Sequence, residues 1–183
     1  LWSRSLTEEY GPMMGNHGIG GSLFQSADSL GVLVDHDGPS YLMRVNKATG
    51  ENEWKMDREE RVSWSTPTLS ISENQESLFI SSNGVVECFD FKTGKKIWYK
   101  DGVEGNTVAS PSIAGGLVIV GSSKPEQTQA IRCGNESVKG GEVSWVAEDA
   151  TCSFGSPLAT ERFVYLVNRA GVATCHNLVD GKK

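Results

Sequence analysis

The side chains able to do chemistry in this sequence are few, and their spacing excludes more than it suggests. The four cysteines, Cys88, Cys133, Cys152 and Cys175, contain no C-x-x-C pair, no haem-attachment C-x-x-C-H and no zinc spacing, so sulfur-based redox or metal chemistry is not indicated. Cys88 and Cys175 each stand six residues before a turn glycine, Gly94 and Gly181, and so fill the same slot. That slot predicts small buried thiols rather than disulfides. Among the acidic groups, Asp35-His36-Asp37-Gly38 has a composition that reads as a polar turn. His17, Trp64 and Phe154 have the chemistry of a binding pocket, but only if the elements that carry them bring them together.

Those elements repeat. Glycine turns at Thr49-Gly50, Thr93-Gly94 and Gly140-Gly141 are each followed four residues later by a tryptophan, Trp54, Trp98 and Trp145, and a fourth turn stands at Asp180-Gly181. Trp2 opens the chain without its turn. The intervals from tryptophan to proline keep phase: 13 residues from Trp54 to Pro67, 13 from Trp98 to Pro111 and 12 from Trp145 to Pro157. A hydroxyl residue precedes each proline (Thr66, Ser110, Ser156), and in the first unit Ser22 keeps it while Leu23 replaces the proline. Turns 44, 47 and 40 residues apart fall in the period range of propeller blades.

Within a unit, short runs rich in Val, Ile, Leu and Phe alternate with Gly, Asn, Ser and Asp clusters, which predicts strands. The second unit reads as strands over 68–71, 77–81, 85–90 and 96–99, the third over 112–113, 117–120, 129–133 and 143–146, and the fourth over 158–159, 163–167 and 172–178. No helix is evident. The fourth unit stops before its outermost strand, and residues 1–6 read as a strand of that kind, belonging to a preceding or ring-closing blade. In a propeller the innermost strands run beside a central channel, and the residues just before each proline gather at one mouth. Three positions before each proline or its equivalent stand Gly20, Trp64, Val108 and Phe154, with His17 close by. We therefore expect His17, Trp64 and Phe154 at the channel mouth, where loops on a rigid scaffold commonly bind.

Composition narrows the function. A formal charge of −6 and the absence of any long Lys/Arg run argue against a nucleic-acid partner. No apolar run approaches the roughly 20 residues of a membrane helix. Twenty-one glycines suit a chain of many tight turns.

The run Cys88-Phe89-Asp90-Phe91-Lys92-Thr93-Gly94-Lys95-Lys96-Ile97-Trp98 resembles the A-x-D-x-x-T-G-x-x-x-W repeat of PQQ-like, quinoprotein-type β-propellers. Arg44-Val45-Asn46 with Gly50 and Trp54, Cys175-His176-Asn177 with Gly181, and Ser137 with Gly141 and Trp145 are looser copies. The segments Asn16 to Gly20, Arg61 to Pro67 and Val108 to Pro111 are similar to those of PQQ-binding-like repeat proteins of environmental bacteria. The resemblance implies an all-β propeller of seven or eight blades. It also implies a structural, blade-docking role for Trp2, Gly50, Trp54, Gly94, Trp98, Gly141, Trp145 and Gly181, and an extracytoplasmic place, periplasmic or secreted. The enzymes of this type hold PQQ and calcium with an aspartate base, a Glu/Asn/Asp calcium set and a disulfide between adjacent cysteines. This sequence has no Cys-Cys pair and no such carboxylate set.

The expectation is thus one PQQ-like propeller domain over residues 1–183, with blades near 1–54, 55–98, 99–145 and 146–183. It acts as a scaffold for a protein or small-molecule ligand, with no cofactor; the alternative is part of a PQQ-dependent dehydrogenase. Three arrangements of the ends remain open: a closed four-bladed ring, a homodimer completing an eight-bladed ring, or a fragment of a longer protein.

Overall fold

The computed structural model describes residues 1–15, 17–72, 75–134 and 140–183, so Asn16 and Ser137 lie outside it. Four antiparallel sheets follow one another, each a meander in which neighbouring strands are neighbours in sequence. The first holds β1 (Phe24–Gln25), β2 (Ser29–Val34), β3 (Ser40–Asn46) and β4 (Asn52–Arg58). The second holds β5 (Thr68–Ile71), β6 (Glu76–Ser82), β7 (Gly84–Asp90) and β8 (Lys96–Val103). The third holds β9 (Ser112–Ala114), β10 (Leu117–Val120), β11 (Thr128–Arg132) and β12 (Val143–Ala147). The fourth has three strands: β13 (Leu158–Ala159), β14 (Phe163–Val167) and β15 (Ala173–Asn177). The innermost strands β1, β5, β9 and β13 stand side by side in that order, so the sheets open like a fan from one axis.

The sequence dictates the turn between third and fourth strands. Gly50, Gly94, Gly141 and Gly181 all have φ between 70° and 84°, which a side chain would resist. In three turns an Asn or Asp at the end of the third strand closes the loop with its own side chain. Asn46 Oδ1 accepts from the Thr49 N–H at 3.1 Å, Asp90 Oδ1 from the Thr93 N–H at 2.9 Å, and Asn177 Oδ1 from the Val179 N–H at 2.8 Å. This local bond is why the repeat carries an Asx residue there.

Each turn glycine also leaves room for an indole from the preceding unit. A Cβ at Gly94 would lie 3.2 Å from the Trp54 ring, one at Gly141 3.2 Å from Trp98, and one at Gly181 2.6 Å from Trp145. The indole N–H groups donate across the same gap, Trp54 to the Phe91 carbonyl at 3.1 Å, Trp98 to Cys133 at 2.7 Å and Trp145 to Leu178 at 2.7 Å. Trp145 is buried, whereas Trp54 and Trp98 are half-buried. Between sheets, apolar clusters fill the wedges. Leu33 and Leu42 meet Leu78, Ile80 and Phe89; Phe79, Val86 and Cys88 meet Val118, Val120 and Ile131; Ile119 and Ala130 meet Val164 and Leu166.

Near the axis the hydroxyls that precede the prolines link unit to unit. The Ser22 N–H donates to Thr66 Oγ1 at 2.8 Å, the Thr66 N–H to Ser110 Oγ at 2.9 Å, and the Ser110 N–H to Ser156 Oγ at 3.0 Å. A short hydroxyl residue is needed there because each side chain must reach the neighbouring backbone while its own N–H reaches the next.

Two expectations need correction. Residues 1–5 form no strand, and a five-residue helix, α1 (Leu6–Tyr10), follows them. A strand needs a neighbour, and no ladder joins these residues to any sheet among the described residues. Helix is favoured instead because the Ser5 hydroxyl accepts from the Glu8 N–H and Glu8 and Glu9 fill the first turn, where acidic groups suit the helix dipole. Leu6, Tyr10 and Met13 pack on Val34, Tyr41, Met43 and Val45 of the first sheet. The second correction is Cys175: Cys88 and Cys152 are buried and Cys133 half-buried, but Cys175 is exposed, since none of the described sheets packs on the outer face of the fourth.

Candidate functional site

Trp64 lies in the connection from β4 to β5. Its backbone N–H donates to the Thr107 carbonyl at 2.9 Å, and the neighbouring Ser63 hydroxyl donates to the same oxygen at 3.2 Å. The indole rests against the preceding unit at Gly20, where a Cβ would come within 2.2 Å of the ring; only glycine permits that approach. His17 meets the indole edge-on, with ring centroids 5.9 Å apart and planes at 69°. The two rings border a cavity of about 170 Å³, lined also by Met14, Asp35, Asp37 and Val62.

The Asp35-His36-Asp37-Gly38 turn between β2 and β3 closes this cavity from the other side, and its three polar residues do different things. Asp35 is buried and committed: Arg58 Nε donates to it at 2.9 Å and the Ser82 hydroxyl at 2.5 Å. His36 is buried with both nitrogens engaged. Its Nδ1 accepts from the Met14 N–H at 3.1 Å, which places the ring proton on Nε2, the donor to the Pro39 carbonyl at 2.9 Å. This imidazole fixes the loop that carries His17. Asp37 is exposed and lines the cavity.

Of the three residues expected at the mouth, His17 and Trp64 are in contact and Phe154 is elsewhere. Phe154 is 69% exposed in the connection between β12 and β13 and does not line the cavity. The sequence reading missed Asp37. The turn composition was visible, but the folding of that turn over a mouth built by the next unit's connection is a tertiary fact without a local signal.

A second group of charges fills the wedge between the first two sheets. Arg58 Nη1 donates to Glu87 at 2.7 Å, and Lys96 Nζ reaches the other Glu87 oxygen at 2.6 Å. Burial by itself pushes the Glu87 carboxyl up, but Arg58 and Lys96 more than offset this and hold it below its ordinary value. These groups pair with one another beneath an open groove of about 580 Å³, although Arg58 Nη2 is buried without a hydrogen-bond partner among the described residues, and their chemistry is that of a strut between sheets.

The donors suit PQQ and calcium poorly. Among the described residues no three His, Cys, Asp or Glu side chains are grouped to hold a metal ion, the cysteines are all free, and Asp35 and Glu87 are both bound to Arg58. No helix among the described residues is long and apolar enough to cross a membrane.

The chain matches, over residues 1–183, a family model described as outer membrane protein assembly factor BamB. A comparison with curated proteins returns no match. Among solved structures, BamB from Moraxella catarrhalis aligns at 15% identity with a TM-score of 0.59, over 88% of this chain and 46% of that one. The computationally designed Ika8 protein aligns at 16% identity with a TM-score of 0.64, over 93% of this chain and 49% of that one. A europium-containing methanol dehydrogenase aligns at 14% identity with a TM-score of 0.52, over 78% of this chain and 26% of that one. The chain therefore spans about half the length of the first two. At such identities the likeness establishes the fold, a PQQ-like repeat β-propeller in part.

Proposed function

The chain belongs to the family described as outer membrane protein assembly factor BamB, and on that footing we propose that it is a non-catalytic PQQ-like repeat scaffold whose channel mouth receives a cationic group of a ligand or protein partner. One observation carries the reading: the Trp64 ring, the His17 edge and the Asp37 carboxylate border one cavity, while Asp35 is already paired. An aromatic face beside a carboxylate suits an ammonium or guanidinium group, attracted by the ring quadrupole as well as by charge. About 170 Å³ is well below the usual range for a drug-sized ligand, roughly 300 to 1,000 Å³, so it fits one side-chain-sized group rather than a whole cofactor. The cell envelope, periplasmic or secreted, is the compartment that goes with this family.

The runner-up is part of a PQQ-dependent dehydrogenase, favoured by the likeness to a methanol dehydrogenase. It lacks support from the side chains: the buried carboxylates of Asp35 and Glu87 are bound to Arg58 and that of Glu76 to Arg44, and the cysteines are separate and free. Incubation with PQQ and calcium followed by gel filtration tests the choice. The scaffold reading predicts no quinone absorbance travelling with the protein, and co-elution of the quinone would favour the enzyme.

A further inference from the structure

The open groove between the first two sheets carries more polar groups than the strut beneath it uses. Its lining comes wholly from residues between Met56 and Asp101. On one side Val85, Glu87 and Phe89 alternate along β7, and their cross-strand partners Asp101, Tyr99 and Lys96 carry the same face onto β8. Opposite stands Arg58 at the end of β4, with Glu59 and Arg61 in the connection that follows. The volume, about 580 Å³, falls within the usual range of small-molecule sites, roughly 300 to 1,000 Å³.

Two guanidinium nitrogens on this groove lack an acceptor. Arg58 gives Nε to Asp35 and Nη1 to Glu87, but its Nη2 is buried without a partner among the described residues, and so is Nη1 of Arg61. Both side chains are largely withdrawn from water, 4% and 13% exposed, and a buried donor without an acceptor is costly.

The balance of charge narrows what the acceptor can be. The cations of the lining are Arg58, Arg61 and Lys96, and its carboxylates are Asp57, Glu59, Glu87 and Asp101. Glu87 already answers Arg58 and Lys96, Glu59 reaches Arg61 at 3.3 Å, and Asp57 pairs with Lys55. An incoming anion would find no net positive field and would meet Asp57, Glu59 and Asp101, all exposed. A cation would leave both orphaned guanidinium nitrogens as they are. A neutral ligand rich in hydroxyls answers both demands, because each hydroxyl accepts from a guanidinium and donates to a carboxylate. Tyr99, 63% exposed, adds a flat apolar face with a polar tip, suited to the C–H side of a sugar ring.

We propose that this groove binds a neutral oligosaccharide, one ring resting on Tyr99 and its hydroxyls bridging Arg58 and Arg61 to Asp57 and Asp101. The Glu59 side chain is 91% exposed, and so exposed an ion pair is weak, so a sugar hydroxyl takes its place on Arg61. The groove and the Trp64 mouth have different linings, and this inference does not rest on the proposed function.

An array of cello-, malto-, xylo- and chito-oligosaccharides printed beside sulfated and uronic-acid glycans, probed with the labelled chain, is the test, with calorimetry on the neutral glycan bound best. Binding to at least one neutral series is expected. Tyr99→Ala and Asp101→Asn, both at exposed positions and checked for folding by circular dichroism, should each weaken it about tenfold, while Asp37→Asn at the mouth leaves it unchanged. A loss at either groove position places the sugar there. No binding to any neutral glycan, binding confined to the acidic glycans, or neutral binding that survives both groove substitutions would overturn the proposal.

Discussion

Trp98 and Cys133 are joined by a 2.7 Å hydrogen bond from the indole N–H to the backbone carbonyl, a contact that reaches from the outermost strand of the second sheet to the third unit. The same bond recurs from Trp54 and from Trp145, but the depth of the ring differs. Truncation to alanine removes apolar area and leaves the partner carbonyl without its donor. Denaturant unfolding should therefore rank the variants by burial: about 4 kcal/mol lost for Trp145→Ala, about 3 for Trp98→Ala and about 1 for the exposed Trp2→Ala. Equal losses at all three positions would contradict a packing role set by depth.

The Arg58 strut makes stability depend on acid. The Glu87 carboxyl is held below its ordinary value of 4.5, so its contribution is complete above that value and is lost as pH falls through the lower folded one. Glu87→Gln leaves a buried guanidinium with Asp35 as its remaining charged partner and should cost about 3 kcal/mol at neutral pH. In acid the gap between variant and parent should close, which urea titrations at several pH values would record.

Thiol reactivity reports burial directly. Burial pushes the Cys88 and Cys133 thiols up to about 12 and raises Cys152 as well, which removes the reactive thiolate near neutrality. Mass spectrometry after iodoacetamide treatment at pH 8 should find all three unmodified in the folded protein and modified in denaturant.

The hydroxyl relay near the axis can be cut at one link. Ser110→Ala removes the acceptor of the Thr66 N–H while the Ser110 N–H keeps Ser156, so thermal unfolding should show a loss of about 1 kcal/mol. Ser110→Thr, which keeps a hydroxyl, should recover most of it.

Much of the fan was readable in the sequence, because the middle strands of these sheets are short and apolar and the turn from third to fourth strand carries a glycine or Asx whose requirements are local. Repeat phase puts Trp64 and Phe154 at equivalent positions along the axis, with His17 close in sequence to the equivalent Gly20. Phase does not give the angle around it, so Phe154 stands apart although it shares the register of Trp64. The pairing of Arg58 with Asp35 and Glu87, 23 and 29 residues away, has no local signature. Leu1 to Leu6 and Cys175 were misread for one reason: strand pairing and burial depend on a neighbouring sheet, and none of the described sheets lies against them.

The central functional claim is that the mouth between Gly20 and Asp37 receives a cation, and nuclear magnetic resonance titration with arginine methyl ester tests it most directly. A saturable shift of the Trp64 indole N–H and of His17 is expected, abolished by Asp37→Asn, while the indole signals of Trp54, Trp98 and Trp145 stay in place. A Trp64 signal that does not move, or one that moves equally in the Asp37→Asn variant, would contradict it.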